Sequence, residues 1–132
     1  MNRIALASAL LIPVLALSAC SSGTSTTSVT DVTAAQASSI LDEPATKVID
    51  VRTAQEFAGG HLPDAVNIDI ESNTFDSRIA ELPKDAKYFV YCRSGNRSGT
   101  ATDRMSRAGF TSLYDLQGGI QVWANAGGQV VV

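Results

Sequence analysis

The stretch Lys87-Tyr88-Phe89-Val90-Tyr91-Cys92-Arg93-Ser94-Gly95-Asn96-Arg97-Ser98 passes from a strand to a helix through one short loop. Residues 87–91 are mostly aromatic and apolar, the composition of a short strand buried on both faces. From Ser98, a good N-cap, to about Ala108 the pattern turns helical. A tight loop between strand end and helix start turns successive backbone N–H groups toward one point, where they can hold an anion. Cys92 stands at that point, and its thiolate is favoured there by the helix N-terminus and by Arg93 and Arg97. Gly95 allows a backbone angle that other residues resist. A lone cysteine beside a turn is most often a small core residue. Two arginines, a glycine and a cap gathered in one loop favour a nucleophile instead.

The same alternation extends outward on both sides. Thr33 and Gln36 form a capping box for a helix to about Leu41, with Ala34, Ala37, Ile40 and Leu41 on one face. Lys47–Val51 reads as a short buried strand, and Thr53 with Glu56 caps a second helix that Gly59-Gly60 ends. A strand over Ala65–Ile68, a weak helix over 71–82 with Phe75, Ile79 and Leu82 at helical spacing, and a strand over Ser112–Leu116 follow. A helix over Gly119–Asn125 and a closing segment from Gln129 to Val132 complete the chain. Short apolar strands alternating with helices predict an α/β fold, a central parallel sheet with helices on both faces. Ligands of such sheets bind outside the carboxyl ends of the strands, where Cys92 stands. No internal repeat is visible, so one module is expected.

Cys92-Arg93-Ser94-Gly95-Asn96-Arg97-Ser98 resembles the active-site loop of the rhodanese (sulfurtransferase) family. Three further stretches match in that family's order: Val48-Ile49-Asp50-Val51-Arg52, Glu56-Phe57-Ala58-Gly59-Gly60-His61-Leu62-Pro63, and Leu116-Gln117-Gly118-Gly119-Ile120 with Trp123. Asp64 departs from it, standing where the family commonly has Gly after the Pro, at a turn position that tolerates Asp. The resemblance runs from about Val29 to Val132 and implies a three-layer rhodanese-like fold in its single-domain form. It implies sulfane sulfur transfer by double displacement through a persulfide on Cys92. Arg93, Ser94, Gly95, Asn96, Arg97 and Ser98 would bind the substrate, with no cofactor. The donor would be a small sulfur anion, thiosulfate or a persulfide, and the acceptor a thiol or cyanide.

Two alternatives stand beside this enzyme. In one, Cys92 is a persulfide relay for a membrane partner, with little free turnover. In the other, the cradle serves a phosphatase or arsenate reductase. The loop is Cys-x₄-Arg, whereas phosphatases with a similar cradle have Cys-x₅-Arg. One fewer residue brings the amides closer and leaves room for a bound sulfur rather than a phosphoryl group. No aspartate is nominated as a leaving-group acid.

In the resemblance the Asp50-Val51-Arg52 segment braces the domain, with Arg52 expected to pair near Glu56. His61, the one histidine, shapes the turn before the next strand, and Trp123 anchors the last helix in the core. Residues 92–107 hold four arginines, at 93, 97, 104 and 107, against the single acid Asp103. They predict a positive mouth for an anion, with Arg104 and Arg107 on a solvated helix face. No metal-ligand constellation, nucleotide fingerprint or Ser-His-Asp set is present in the sequence.

The ends set the address. Arg3 followed by the apolar run Ile4–Ala19, sixteen residues and so short of the roughly 18 of a membrane span, reads as a signal segment over residues 1–19. Leu17-Ser18-Ala19-Cys20 resembles the bacterial lipoprotein signal. That resemblance implies cleavage before Cys20, a diacylglyceryl group on its sulfur, and acylation of its amine by a fatty acid such as palmitate. Residues 20–28, rich in Ser and Thr, read as a flexible tether, and residues 29–132 as the folded domain. The expected location is therefore outside the cytoplasm, lipid-anchored to a bacterial membrane and facing the periplasm or exterior, as a monomer.

Of ten basic and thirteen acidic residues only Arg3 precedes residue 20, so the remainder carries nine and thirteen, a formal net charge of −4. An acidic domain without a long basic run argues against nucleic-acid binding. With Cys20 lipidated, Cys92 is the one free thiol, and no internal disulfide can form.

Overall fold

A computed structural model of the chain describes residues 28–132, and Cys20 with the signal segment lies outside them. Five parallel strands form one sheet in the order β1-β5-β4-β2-β3. They are β1 (Ser28–Val32), β2 (Lys47–Asp50), β3 (Val66–Asn67), β4 (Lys87–Tyr91) and β5 (Ser112–Leu116). The helices are α1 (Ala34–Leu41), α2 (Ala54–Ala58), α3 (Phe75–Ala80), α4 (Asn96–Arg107) and α5 (Gly119–Asn125). The sheet, with helices on both faces, is the α/β architecture expected.

Strand β4 lies at the centre, and its side chains alternate between two cores. Tyr88, Val90 and Cys92 join Phe75, Ile79, Ala101 and Met105 beneath α3 and α4. Phe89 and Tyr91 join Ala37, Leu62, Leu116, Ile120 and Trp123 beneath α1 and α5. This two-sided burial explains why 87–91 carries no polar alternation. From β2 the chain steps outward to β3 and then returns across to β4 on the other side. The order therefore reverses between β2 and β4, and at such a switch point a crevice opens beyond the strand ends.

Both capping boxes form as expected. Thr33 and Thr53 accept from the amides of Gln36 and Glu56, whose side chains accept in return from the threonine amides. Trp123 is buried and its indole N–H donates to the Gln129 carbonyl at 2.9 Å. Asp64 has φ 60°, so the residue replacing the family's glycine does occupy a left-handed turn position.

Three expectations are corrected. Strand β1 was not anticipated. It pairs with β5 from Ser28↔Ser112 to Val32↔Leu116, and that distant partner supplies what its polar sequence does not show. Helix α4 begins two residues before Ser98, because Gly95 at φ 106° turns the chain directly into Asn96. Ser98 is thus the third helical residue and not the N-cap. Arg52 does not pair near Glu56. Its guanidinium turns back on Asp50, with Nη2 to Oδ2 at 2.6 Å and Nε to Oδ1 at 3.0 Å, and donates to the Gly60 carbonyl at 2.7 Å. Tyr91 donates to the same Asp50 carboxylate at 2.7 Å and accepts the Leu62 amide. Asp50, Arg52 and Tyr91 are all buried. This satisfied polar knot ties β2 and β4 to the turn before β3, the bracing role expected of the Asp50–Arg52 segment.

Candidate active site

Cys92 follows the carboxyl end of β4 and is 1% exposed. The Gly95 amide donates to its Sγ at 3.0 Å, and the Ser98 hydroxyl lies 3.5 Å from the same sulfur. Ser98 in turn donates to the Gly95 carbonyl at 3.1 Å. Since α4 begins at Asn96, the amides of Asn96, Arg97 and Ser98 belong to its first turn, where no intrahelical acceptor is available. The thiol therefore stands at the positive end of a twelve-residue helix. The structure brings Cys92, Gly95 and Ser98 together, and leaves the side chains of Arg93, Ser94 and Asn96 exposed around them.

The loop is held from behind by α5. Its Ile120 amide donates to the Cys92 carbonyl at 2.9 Å and its Gln121 amide to the Arg93 carbonyl at 3.3 Å. Gly118 and Gly119, at φ 77° and 63°, make this approach possible. A Cβ on Gly119 would sit 2.4 Å from the Arg93 carbonyl carbon and oxygen and 2.5 Å from the Cys92 oxygen. The two glycines of Leu116–Ile120 are thus a backbone seat for the cysteine loop.

The arginines divide differently from the sequence expectation. Arg97 closes a two-point bridge onto Glu56, with both N–O distances 2.8 Å, and reaches Glu71 at 3.4 Å. The Arg97 guanidinium, with help from the Thr53 amide and hydroxyl, holds the Glu56 carboxyl down at about 2 despite partial burial. Arg104 pairs with Asp76 at 2.6 Å and stacks over Phe75, and Arg107 pairs with Asp103 at 3.0 Å. The positive mouth is accordingly narrower than four arginines. Among the described residues, Arg93 alone of the four has no carboxylate partner. It borders a shallow cleft of about 420 Å³ that Gln55, Glu56, Gly60, Ile120 and Gln121 also line.

His61 stacks on Phe57 with ring centroids 3.7 Å apart, and its Nδ1 lies 2.9 Å from the Phe57 carbonyl. Its backbone bridges Val131, so it shapes the turn and closes the chain end onto it. Two residues near the cradle escaped sequence reasoning. Glu56 was read as a helix cap with Arg52 expected near it, and not as the partner that holds Arg97. Asp115 was read as part of a strand, although its carboxyl is buried beside α4. Among the described residues no group of three or more His, Cys, Asp or Glu could hold a metal ion.

A thiol at the carboxyl end of a parallel strand, facing the first turn of the next helix across a six-residue loop, is an arrangement that can serve a cysteine nucleophile and hold a small anion. The chain belongs to the rhodanese-like domain family, whose profile matches residues 33–126. It is 35% identical over 92 residues to a sulfurtransferase of Allochromatium vinosum, covering 70% of this chain and 84% of that one. It is 34% identical over 83 residues to the thiosulfate sulfurtransferase GlpE of Pseudomonas savastanoi, covering 63% and 76%. The crystal structure of a rhodanese-related protein from Thermoplasma volcanium superposes with a TM-score of 0.69 at 32% identity. That match covers 77% of this chain and 97% of that one.

Proposed function

We propose that this protein is a sulfurtransferase that carries sulfane sulfur as a persulfide on Cys92. The observation that carries this reading is the Gly95 amide, 3.0 Å from Cys92 Sγ, at the N-terminus of α4. The thiolate attacks the outer sulfur of a donor such as thiosulfate. The donor's S–S bond breaks, sulfite leaves with its electron pair, and Cys92–S–S⁻ remains. The loop amides from Arg93 to Ser98 then lie around the terminal sulfur and stabilise its charge as it develops. Arg93, lacking a carboxylate partner, meets the incoming anion, and Arg97 holds the end of the loop in place. A thiol or cyanide attacks the outer sulfur and restores the Cys92 thiolate, so no external oxidant or reductant is needed. The relatives named as thiosulfate sulfurtransferases support the choice of donor. We further infer that lipid on Cys20 anchors the domain outside the cytoplasm, with residues 21–27 as its tether.

Incubation with thiosulfate followed by mass spectrometry tests the assignment. The wild type is expected to gain the mass of one sulfur on the Cys92 peptide and to lose it to cyanide. Cys92→Ser is expected to gain nothing, because serine forms no stable persulfide, at a cost to stability of about 1 kcal/mol for one buried polar replacement. A mutant that still takes up sulfur would place the nucleophile elsewhere. The near-complete burial of Cys92 favours a second reading. Uptake that only a partner protein can discharge would identify a relay rather than a free enzyme.

A further inference from the structure

An acidic cleft of about 440 Å³ lies between α4 and the β1 edge of the sheet, and nothing in the chemistry above uses it. Gly99, Thr102, Asp103 and Ser106 line it from α4, at the helical spacing that puts side chains on one face. Val29 and Asp31 line it from β1, alternate residues of one strand and so on one face of the sheet. Asp115 lines it from β5, where it is paired in register with Asp31, so two acids stand side by side on adjacent strands. No basic residue lines the cleft, and the nearby Arg107 is bound to Asp103 at 3.0 Å.

Asp115 makes this more than an acidic patch. It is 3% exposed, and its Oδ1 has no hydrogen-bond partner among the described residues. Buried carboxylates are ordinarily paired. Each element packed against it leaves it unserved. Its neighbour on β4 is the apolar Val90, and its neighbour on β1 is another acid. On α4, Gly99 brings no side chain, although a Cβ there would lie only 3.6 Å from Oδ2. The Thr102 hydroxyl is spent on the carbonyls of Ser98 and Gly99 at 3.0 and 3.1 Å, and the Ser98 hydroxyl donates to the Gly95 carbonyl. What remains to satisfy the carboxyl is a proton or a cation from the cleft. Burial pushes it up to about 6, and Asp31 adds to that effect, so at neutral pH it is ionised and unpaired.

We propose that this cleft binds the primary ammonium group of an aliphatic amine, with Asp115 as its buried anchor. An ammonium carries three N–H donors. The cleft offers acceptors for them in the carboxylates of Asp115 and Asp31 and the hydroxyl of Ser106. Val29, apolar and exposed on the same wall, gives the aliphatic stem a surface to lie on. Among the described residues no group of three or more His, Cys, Asp or Glu could hold a metal ion, so hydrogen bonding suits this donor set better than coordination. The cation favours the ionised carboxyl. Binding is therefore full above about pH 6 and weakens as the carboxyl takes up its proton.

The test is NMR of the full chain, titrated at pH 7.5 with n-butylammonium chloride and separately with tetramethylammonium chloride, which has the same charge and no N–H. n-Butylammonium is expected to shift the amides of Asp31, Gly99 and Asp115 saturably, with half-saturation on the order of 1 mM. It is also expected to lower the midpoint at which the Asp115 carboxyl carbon titrates. At pH 5, where roughly a tenth of that carboxyl is ionised, affinity is expected to be about tenfold weaker. Asp115→Asn is expected to abolish saturation, while Glu81→Gln, which removes the same charge outside the cleft, leaves it in place. If Asp115→Asn does not fold, Asp31→Asn at its exposed position decides instead, with an expected loss of about threefold or more. Matching shifts with tetramethylammonium, saturation that ignores pH, or saturation unchanged in the deciding variant would overturn the proposal. Nα-Acetyl-lysine amide as the probe separates two sources of the same group. Tighter binding than n-butylammonium assigns the cleft to a lysine side chain of a partner protein, and equal or weaker binding to a free amine, either within the proposal. Cys92 takes no part, so failure here leaves the sulfurtransferase reading untouched.

Discussion

Arg97 in the first turn of α4 and Glu56 in α2 are joined by two hydrogen bonds of 2.8 Å across 41 residues of sequence. The pair fastens the end of the cysteine loop to the helix that follows β2, so an arginine beside the anion site is also a structural tie. Both side chains are somewhat under a third exposed, which screens the attraction without removing it. Arg97→Ala is therefore expected to lower stability by about 0.5–1.5 kcal/mol as well as slowing sulfur loading. A double-mutant cycle with Glu56→Gln, read by urea unfolding, is expected to give a coupling in the same range. Additive losses would show that the pair is geometry without energy.

The same contact sets an acid limit. Glu56 is held at about 2, below its ordinary 4.5, first by the Arg97 guanidinium. The folded protein therefore keeps this charge in a range where the unfolded chain takes up a proton. The pair's contribution is complete above about pH 4.5 and is lost as pH falls toward 2. Glutamine at 56 preserves the capping contact with Thr53 but has no charge to lose. Melting temperatures between pH 6 and 2.5 are expected to fall more steeply in the wild type than in Glu56→Gln, the two curves converging in acid. Parallel curves would assign the acid sensitivity to other carboxylates.

Gly119 supports the loop from the opposite side. Alanine there meets the carbonyls of Arg93 and Cys92 at about 2.5 Å and must also adopt φ 63°. Gly119→Ala is expected to cost at least about 2 kcal/mol and to abolish sulfur loading even where the fold survives. Gly109→Ala serves as a comparison. It shares a positive φ of 98° and meets only a Lys84 side chain, so it pays the backbone strain but leaves the loop in place and activity near wild type. Equal activity in the two variants would mean that the seat made by α5 does not position Cys92.

What could be read from sequence was what is local. The capping boxes at Thr33 and Thr53 each close within three residues, and β4 announces itself by an unbroken buried run. Asp64 was legible as a turn because Asp tolerates a left-handed angle. The misreadings turn on context that the local residue pattern does not carry. β1 exists because β5 offers a row of hydrogen bonds to a segment that mixes polar and apolar residues. Ser98 looked like a cap because its neighbour Gly95, rather than its own side chain, sets where α4 begins. Arg52 chose Asp50, two residues away, because β2 ends there and Tyr91 fixes the carboxylate. Asp115 stands on β5, between β1 and β4 and under α4, and nothing in Ser112–Leu116 distinguishes a buried acid from a solvated one.

The proposed anchor makes its own demand on Cys20. No helix among the described residues is long and apolar enough to cross a membrane; in the proposed reading it is the lipid on Cys20 that holds the protein. Each buried CH₂ contributes about 0.8 kcal/mol, and two or more acyl chains hold a protein stably where a single chain does not. Expressed with residues 1–132, the wild type is expected in the membrane fraction, resistant to high salt and released by detergent. Cys20→Ser is expected to carry no lipid by mass spectrometry and to be released from the membrane, while its domain still loads sulfur on Cys92. A Cys20→Ser protein that stays membrane-bound after a high-salt wash would show that another segment holds it, and the lipid anchor would have to be abandoned.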